Sequence, residues 1–195
     1  MSVIEYYDKI AKEYYDKKAP MDRSSLLTYF LKYLKPNASL LDAGCGPGLD
    51  AKFFLDSGFI VEPIDGSKEM AKIASGHLNR PITRLKFEEI TFVDRFDGVW
   101  TNASLIHTPP EELSELFPHF IRALKTNGHW FMSFRYGKDV EMIDGIPSYL
   151  QTEDSLSQAL SQFPELSIEE IWVRPTSNPV LPNWLICIVK KNSLK

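Results

Sequence analysis

The sequence predicts one α/β domain: a doubly wound, mostly parallel seven-stranded sheet whose last strand runs antiparallel. Three observations predict it. Between about residues 39 and 134, short β-rich runs alternate with segments of helical period, the pattern of a parallel sheet covered by helices. The run "LLDAGCGPGLD", Leu40 to Asp50, sets three of the ten glycines at every second position between an apolar run and a helix-like segment holding Phe53, Phe54 and Leu55. The tail carries two strand-like runs, "LSIEEIWVR" and "WLICIVKK", joined by the Pro- and Asn-rich "PTSNPVLPN" without a long helix, which fits an antiparallel pair.

Taken in order, Ile4, Tyr7, Ala11 and Tyr14 recur at spacings of three and four, giving an amphipathic helix ahead of the first strand. The strand candidates are Ser39 to Ala43, Phe59 to Asp65, Ile82 to Leu85, Asp97 to Thr101 and His129 to Phe134. Met70, Ala71, Ala74 and Leu78 share one helical face, with Ser67 as its N-cap. Leu113, Leu116, Phe117, Phe120, Ile121 and Leu124 form a wider apolar face, introduced by "TPPEE" and ended by Asn127-Gly128. Pro118 leaves the boundary of that helix open between a first turn and a kink. "TEDSLSQALSQF" reads as a helix capped by Thr152, with Glu153 and Asp154 in the first turn where the dipole favours acids.

The bulk properties narrow the function. Hydrophobic residues make up 44% and charged residues 25% of the chain, the proportions of a soluble globular protein. No apolar run approaches the roughly 18 to 20 residues of a membrane span, and the charged start "MSVIEYYDKIAKEYYDKK" lacks a signal peptide's apolar stretch, so the expected location is cytoplasmic, with no membrane partner. Cys45 and Cys187 lie far apart, outside any zinc-site spacing, so neither a metal site nor a disulfide framework is expected. A net charge of -4 with scattered lysines and arginines offers no stripe for a phosphate backbone, which argues against nucleic acid.

The glycines have a physical reading. Where the first strand of an open parallel sheet turns into a helix, ligands meet backbone N–H groups and the positive end of the helix dipole. Glycine there permits positive φ and removes the Cβ atoms that would hold a ligand off. A purely structural tight turn is the alternative. A dinucleotide fingerprint GxGxxG would need glycine at position 49, where the chain has Leu49, and Gly48 comes one residue early. Asp65, about 20 residues on at the end of the second strand, stands where an acid accepts hydrogen bonds from ribose hydroxyls, a place common to both classes of site.

"LLDAGCGPG", "PIDGSKEM", "RFDGVWTNASLIHTPPEEL" and "RALKTNGHWFMSF", in that order, resemble the successive motifs of the class I S-adenosylmethionine-dependent methyltransferases, a Rossmann-like fold. "YYDKIAKEYY" and "SFRYG" also resemble pieces of the small bacterial, tellurite-resistance-like group. The resemblance implies one class I methyltransferase domain over 1–195, with residues 1–35 as an N-terminal helical lid region and 36–195 as the catalytic core. It implies S-adenosyl-L-methionine as cofactor, with Asp42, Gly44, Gly46 and Gly48 beside its methionine part and Asp65 on the ribose. Gly66 and Ser67 would lie beside the adenine, with the backbone of Lys86 and Phe87 on its other edge. Many relatives carry an acid near positions 85 to 87, and this chain has Leu85, Lys86 and Phe87. Thr101, Asn102 and Ala103 would face the methionine and the substrate.

Methyl transfer from a sulfonium asks the protein mainly to align a nucleophile and exclude water, so few catalytic side chains are needed. His107, just past the fourth strand, is the candidate general base, with loop orientation or a pocket wall as its other roles. His77, His119 and His129 are assigned no chemistry. Tyr14, among the tyrosines Tyr6, Tyr7, Tyr14 and Tyr15, is the candidate lid residue over the cofactor, or else a packing residue. Arg135 and Tyr136 line the acceptor pocket or end the fifth strand in solvent. Trp100, Trp130, Trp172 and Trp184 read as core or sheet-face residues, and Cys45 as a small residue in a crowded loop rather than a reactive thiol. The leading reading is a methyltransferase for a small-molecule acceptor, as monomer or homodimer. Asn102 is followed by Ala103, Ser104 and Leu105 rather than by the N-P-P-aromatic run of nucleic-acid amino-methylating relatives. A nicotinamide-dependent oxidoreductase and a non-catalytic cofactor-binding or regulatory protein are the alternatives.

Overall fold

The structure, a computed structural model, describes residues 1–143, 145–176 and 181–193. Two helices come first, α1 (Val3–Lys18) and α2 (Ser24–Leu31). The sheet then alternates with helices: β1 (Ser39–Ala43), α3 (Leu49–Asp56), β2 (Ile60–Asp65), α4 (Lys68–Leu78), β3 (Thr83–Arg84), a 3-10 turn at Phe87–Glu89, β4 (Phe96–Asn102), α5 (Pro110–Ala123) and β5 (Leu124–Arg135). A two-stranded antiparallel ribbon of β6 (Val140–Ile143) and β7 (Ile146–Tyr149) follows, then α6 (Glu153–Leu160), β8 (Leu166–Arg174) and β9 (Trp184–Lys191).

The main sheet has seven strands in the order β3-β2-β1-β4-β5-β9-β8. The first five strands pair in parallel, and β9 runs antiparallel between β5 and β8. The expected fold class is the observed one. Its antiparallel pair is β8 and β9, and residues 177–180 of the connecting "PTSNPVLPN" lie outside the described residues.

Alternation along the strands explains the two-layer cover. On β5, Trp130, Met132 and Phe134 join one core with Leu113, Phe117, Phe120 and Ile121 of α5 and Leu156 and Leu160 of α6. Phe131, between them in sequence, faces the other side and packs with Trp100, Ile186, Leu27, Phe30 and Phe54 under α2 and α3. The Trp100 and Phe131 rings stack at 3.8 Å, which fixes β4 against β5 directly below the strand ends that carry the site.

The caps form as read: Ser67 accepts from Met70 N at the head of α4, and Thr152 makes a capping box with Ser155 on α6. One boundary is corrected. The helix expected to run to Asn127-Gly128 ends at Ala123, because Leu124 is already extended and pairs with Phe96, and Asn127 takes φ 65° within the long strand instead. A Cβ at Gly128 would stand 2.9 Å from the Asp97 carbonyl, so glycine there lets β5 close on β4. The β6–β7 ribbon is an addition that strand–helix alternation gave no means to foresee.

Candidate active site

The C-terminal ends of β1, β2, β4 and β5 lie side by side, and each delivers predicted residues. After β1 the glycine loop turns with φ 75° at Gly44, 54° at Gly46 and 79° at Gly48. The three glycines do different work. A Cβ at Gly44 would stand 2.5 Å from the Ser104 Cβ, and one at Gly48 would press Ala74 and Leu78 of α4 at 3.2 Å. At Gly46 it would meet nothing within 4 Å. Gly44 and Gly48 therefore let protein pack on protein, and Gly46 alone opens backbone to space a ligand can enter.

Asp65, at the tip of β2, holds this loop in shape. Its carboxylate accepts from Gly46 N and from Ser67 N, each at 2.8 Å. Burial raises its pKa against the pull of those two N–H groups. Asp42 is more deeply placed, and its Oδ2 is buried with no hydrogen-bond partner among the described residues. Burial first, then the neighbouring Asp50 carboxylate, pushes the Asp42 pKa well above the usual carboxylate range. A buried oxygen left without a donor is costly unless a ligand supplies one.

Asp50 and Arg23 were missed in the sequence. Asp50 Oδ1 lies 2.8 Å from Arg23 Nε, while Oδ2 accepts from Trp100 Nε1 at 2.9 Å and from Asn102 Nδ2 at 3.0 Å. The only signal was an acid in the first turn of the helix after the glycines; nothing in "MDRSS" marks Arg23. Asn102 is fixed at both ends of its amide, because its Oδ1 accepts from Ser133 Oγ at 2.8 Å. Ser133 Oγ in turn accepts from Ala103 N, and Ala103 takes φ 55°, a strained conformation for a residue with a Cβ. The loop after β4 is thus braced from below by β5. The Thr101 side chain does not face the site: it is fully buried, donating to the Phe131 carbonyl and accepting from Trp130 Nε1.

Helix α1 lies across these strand ends. Ile4 Cδ1 stands 3.2 Å from where a Gly66 Cβ would be, and Asp8 Oδ1 accepts from Ser67 Oγ at 2.6 Å and from Glu69 N at 3.0 Å. Tyr7 meets His107, O to Nε2, at 2.9 Å. The His107 Nδ1 lies 2.5 Å from the Pro147 carbonyl, which only accepts, so Nδ1 carries the proton and Nε2 accepts from the Tyr7 hydroxyl. Burial lowers the His107 pKa and keeps the ring neutral, and burial likewise raises Tyr7. Tyr14 packs edge-on against Tyr7 at 5.8 Å, and its hydroxyl, raised in pKa by burial, feels Arg23, Asp50, Asp65 and Arg135 together.

Other predicted residues stand at the margin. The Phe87 ring tip lies 3.3 Å from the Gly44 Cβ position and Lys86 Cγ 3.6 Å from that of Gly66, so this segment does flank the loop, although the Lys86 N–H is taken by Glu89. Arg135, half-buried, lays its guanidinium 3.9 Å over the Trp184 ring. Tyr136, one residue past β5, packs against the core under α5 and α6, and the Glu153 carboxylate raises its pKa. Cys45 is buried, and burial with the nearby Asp42 raises its thiol pKa well above the ordinary value, which removes thiolate chemistry.

Residues 40–128, from the glycine strand through α5 to the start of β5, match the family model described as "Methyltransferase domain". The chain is therefore similar to methyltransferases over a little under half of its length. Curated relatives and solved structures add further similarities. A malonyl-[acyl-carrier protein] O-methyltransferase of Pseudescherichia vulneris is 35% identical over 99 residues, 49% of this chain and 39% of that protein. An uncharacterized methyltransferase of Staphylococcus carnosus is 28% identical over 169 residues, covering 79% of this chain and 81% of the other. Among solved structures, the Burkholderia thailandensis 1,6-didemethyltoxoflavin-N1-methyltransferase, seen with its acceptor and S-adenosylhomocysteine, superposes with a TM-score of 0.75 at 19% identity over 99% of this chain and 92% of the other. The chain spans about two fifths of the length of the first curated relatives it matches. Its sheet order, with an antiparallel strand inserted beside β5, also differs from the 3-2-1-4-5-6 order of dinucleotide-binding folds.

Proposed function

We propose that the protein transfers a methyl group from S-adenosylmethionine to a small-molecule acceptor. The observation that carries the reading is the pairing of Gly46, open to space at φ 54°, with the unpartnered, buried Oδ2 of Asp42 behind it. The cofactor brings what those residues lack: a positively charged methionine end for Asp42 and Asp50, and ribose hydroxyls for the remaining lone pairs of Asp65. When bound, it supplies a methyl group activated on a sulfonium.

The chain's own residues then align and shield. Tyr14 and Tyr7 on α1 exclude water from the strand ends. His107 is oriented by Pro147 and held neutral by burial, so its Nε2 lone pair is ready to take an acceptor proton once the Tyr7 hydroxyl gives up its place. The 1,6-didemethyltoxoflavin enzyme supports a small acceptor by analogy of fold, as does a net charge of -4 that leaves no track for nucleic acid.

A thermal-shift comparison of S-adenosylhomocysteine with NAD tests the cofactor. At 100 times its dissociation constant the right ligand raises stability by about 2.7 kcal/mol. A shift with NAD and none with S-adenosylhomocysteine would restore the oxidoreductase reading. Formation of S-adenosylhomocysteine from S-adenosylmethionine across an acceptor panel separates an enzyme from a non-catalytic binder.

A further inference from the structure

The acids of the site, buried Asp42 and Asp50 and part-buried Asp65, all lie on the side of the glycine loop and β2. Toward the mouth, under the end of α1, the charge reverses. Lys18, the last residue of α1, sits with Nζ 5.6 Å from the Tyr14 ring centroid, and Arg135 ends β5. Arg23 and Arg135 both add to burial in lowering the Lys18 pKa. Arg23 is spent on Asp50 at 2.8 Å. Among the described residues, neither Lys18 nor Arg135 has a carboxylate within the 4.0 Å of an ion pair; Glu141 of the β6–β7 ribbon acts on Arg135 only from farther away.

Arg135 is also held in one plane. Its guanidinium stacks 3.9 Å over Trp184 and Nη1 donates to the Pro182 carbonyl at 3.2 Å, while Nε is buried and has no partner among the described residues. A guanidinium fixed by stacking, with a desolvated donor unspent, suits a planar two-oxygen anion better than a water or a neutral dipole. A chain of net charge -4 has ample acids to neutralise these cations, yet sets none of the described ones against them.

We propose that Arg135, assisted by Lys18, reads a carboxylate on the methyl acceptor. This deepens the methyltransferase reading and rests on it. The two ends of the site then take opposite charges: acids behind the loop face the positive end of the cofactor, and cations at the mouth face the negative group of the acceptor. Arg135 acts as a specificity residue and takes no part in the transfer.

The test uses the full chain saturated with S-adenosylhomocysteine, so that a carboxylate added afterwards cannot report on the cofactor site. Benzoate and its neutral isostere benzamide are titrated by calorimetry into wild type, Arg135→Gln and Lys18→Gln. Benzoate is expected to bind about tenfold or more tightly than benzamide, and Arg135→Gln to remove that preference while keeping the affinity for S-adenosylhomocysteine. Lys18→Gln, at the end of a surface helix where it does not threaten the fold, should weaken benzoate alone and by less. Equal binding of the two probes, or binding of neither, overturns the proposal. So does a loss of S-adenosylhomocysteine affinity in Arg135→Gln, which would give that arginine to the cofactor. Failure of wild type to bind S-adenosylhomocysteine at the first step would instead sink the methyltransferase reading beneath it.

Discussion

Replacing Asp8 by alanine should loosen α1 without unfolding the sheet. Asp8 reaches from α1 to the head of α4, where its Oδ1 accepts from the Ser67 hydroxyl and from Glu69 N at 2.6 and 3.0 Å. Ser67 already caps α4 from within, so Asp8 adds a second, external cap at the positive end of the same helix. Hydrogen bonds to an ionised acceptor contribute about 1.5 to 3 kcal/mol each when well buried. Asp8 is partly exposed, and solvent screening brings the expected loss down to about 1 to 2 kcal/mol for the pair. Ile4 against Gly66, Tyr7 on His107 and Tyr15 on His77 remain to hold the helix. Native-state hydrogen exchange reads the change: amides from Tyr6 to Tyr15 should exchange about 5 to 30 times faster, and those of β1, β4 and β5 at their wild-type rates. Burial works to raise the Asp8 pKa, but the bonds from Ser67 and Glu69 outweigh it and hold the carboxyl below its ordinary value. Its contribution is therefore complete above about pH 4, and the gap between variant and wild type should close only as pH falls below that. Unchanged exchange in α1, or equal acceleration of α1 and the core strands, would refute the idea of a separately opening helix.

The glycines give a paired test: Gly46→Val should fold and lose S-adenosylhomocysteine binding in calorimetry, whereas Gly44→Ala, forced against Ser104, should lower the urea midpoint first. Gly76→Ala on α4 meets open space at ordinary helical φ, and should raise stability by about 0.5 to 1 kcal/mol in the same denaturation assay. Because burial depresses the His107 pKa, the unfolded chain binds the extra proton first, and stability should fall as pH drops below about 6.5. Urea midpoints at pH 7.5 and 5.5 should show a smaller drop in His107→Asn than in wild type, with His129 contributing equally to both.

Much of this was legible in the chain. Period and punctuation gave β1, β8 and β9 to the residue, because alternating burial and turn residues at both ends leave little freedom. The glycine loop was legible because positive φ needs a special residue, and Asp65 because it ends a strand at a set distance from that loop. What stayed hidden depends on contacts across the sequence. Arg23 becomes part of the site only by meeting Asp50, and Gly44 differs from Gly46 only because Ser104 arrives from β4. The Asn102 amide looked available, and Ser133, 31 residues on, occupies it. The proton on His107 is placed by a carbonyl on a ribbon whose alternation is too short to stand out.

The insertion of β9 between β5 and β8 bears on how the chain is made. β5 carries Trp130 to Phe134, an apolar stretch whose outer edge is paired by residues 184–191 and by nothing earlier in the main sheet. At ordinary synthesis speeds of about 5 to 20 residues per second, the roughly 50 residues between those strands leave that edge unpartnered for some 3 to 10 seconds on the ribosome. An open strand of this composition is a template for joining another chain. Bound chaperone should therefore be found most often on nascent chains that have exposed β5 but not yet β9, and a chain stalled within that window should aggregate where one stalled beyond it does not.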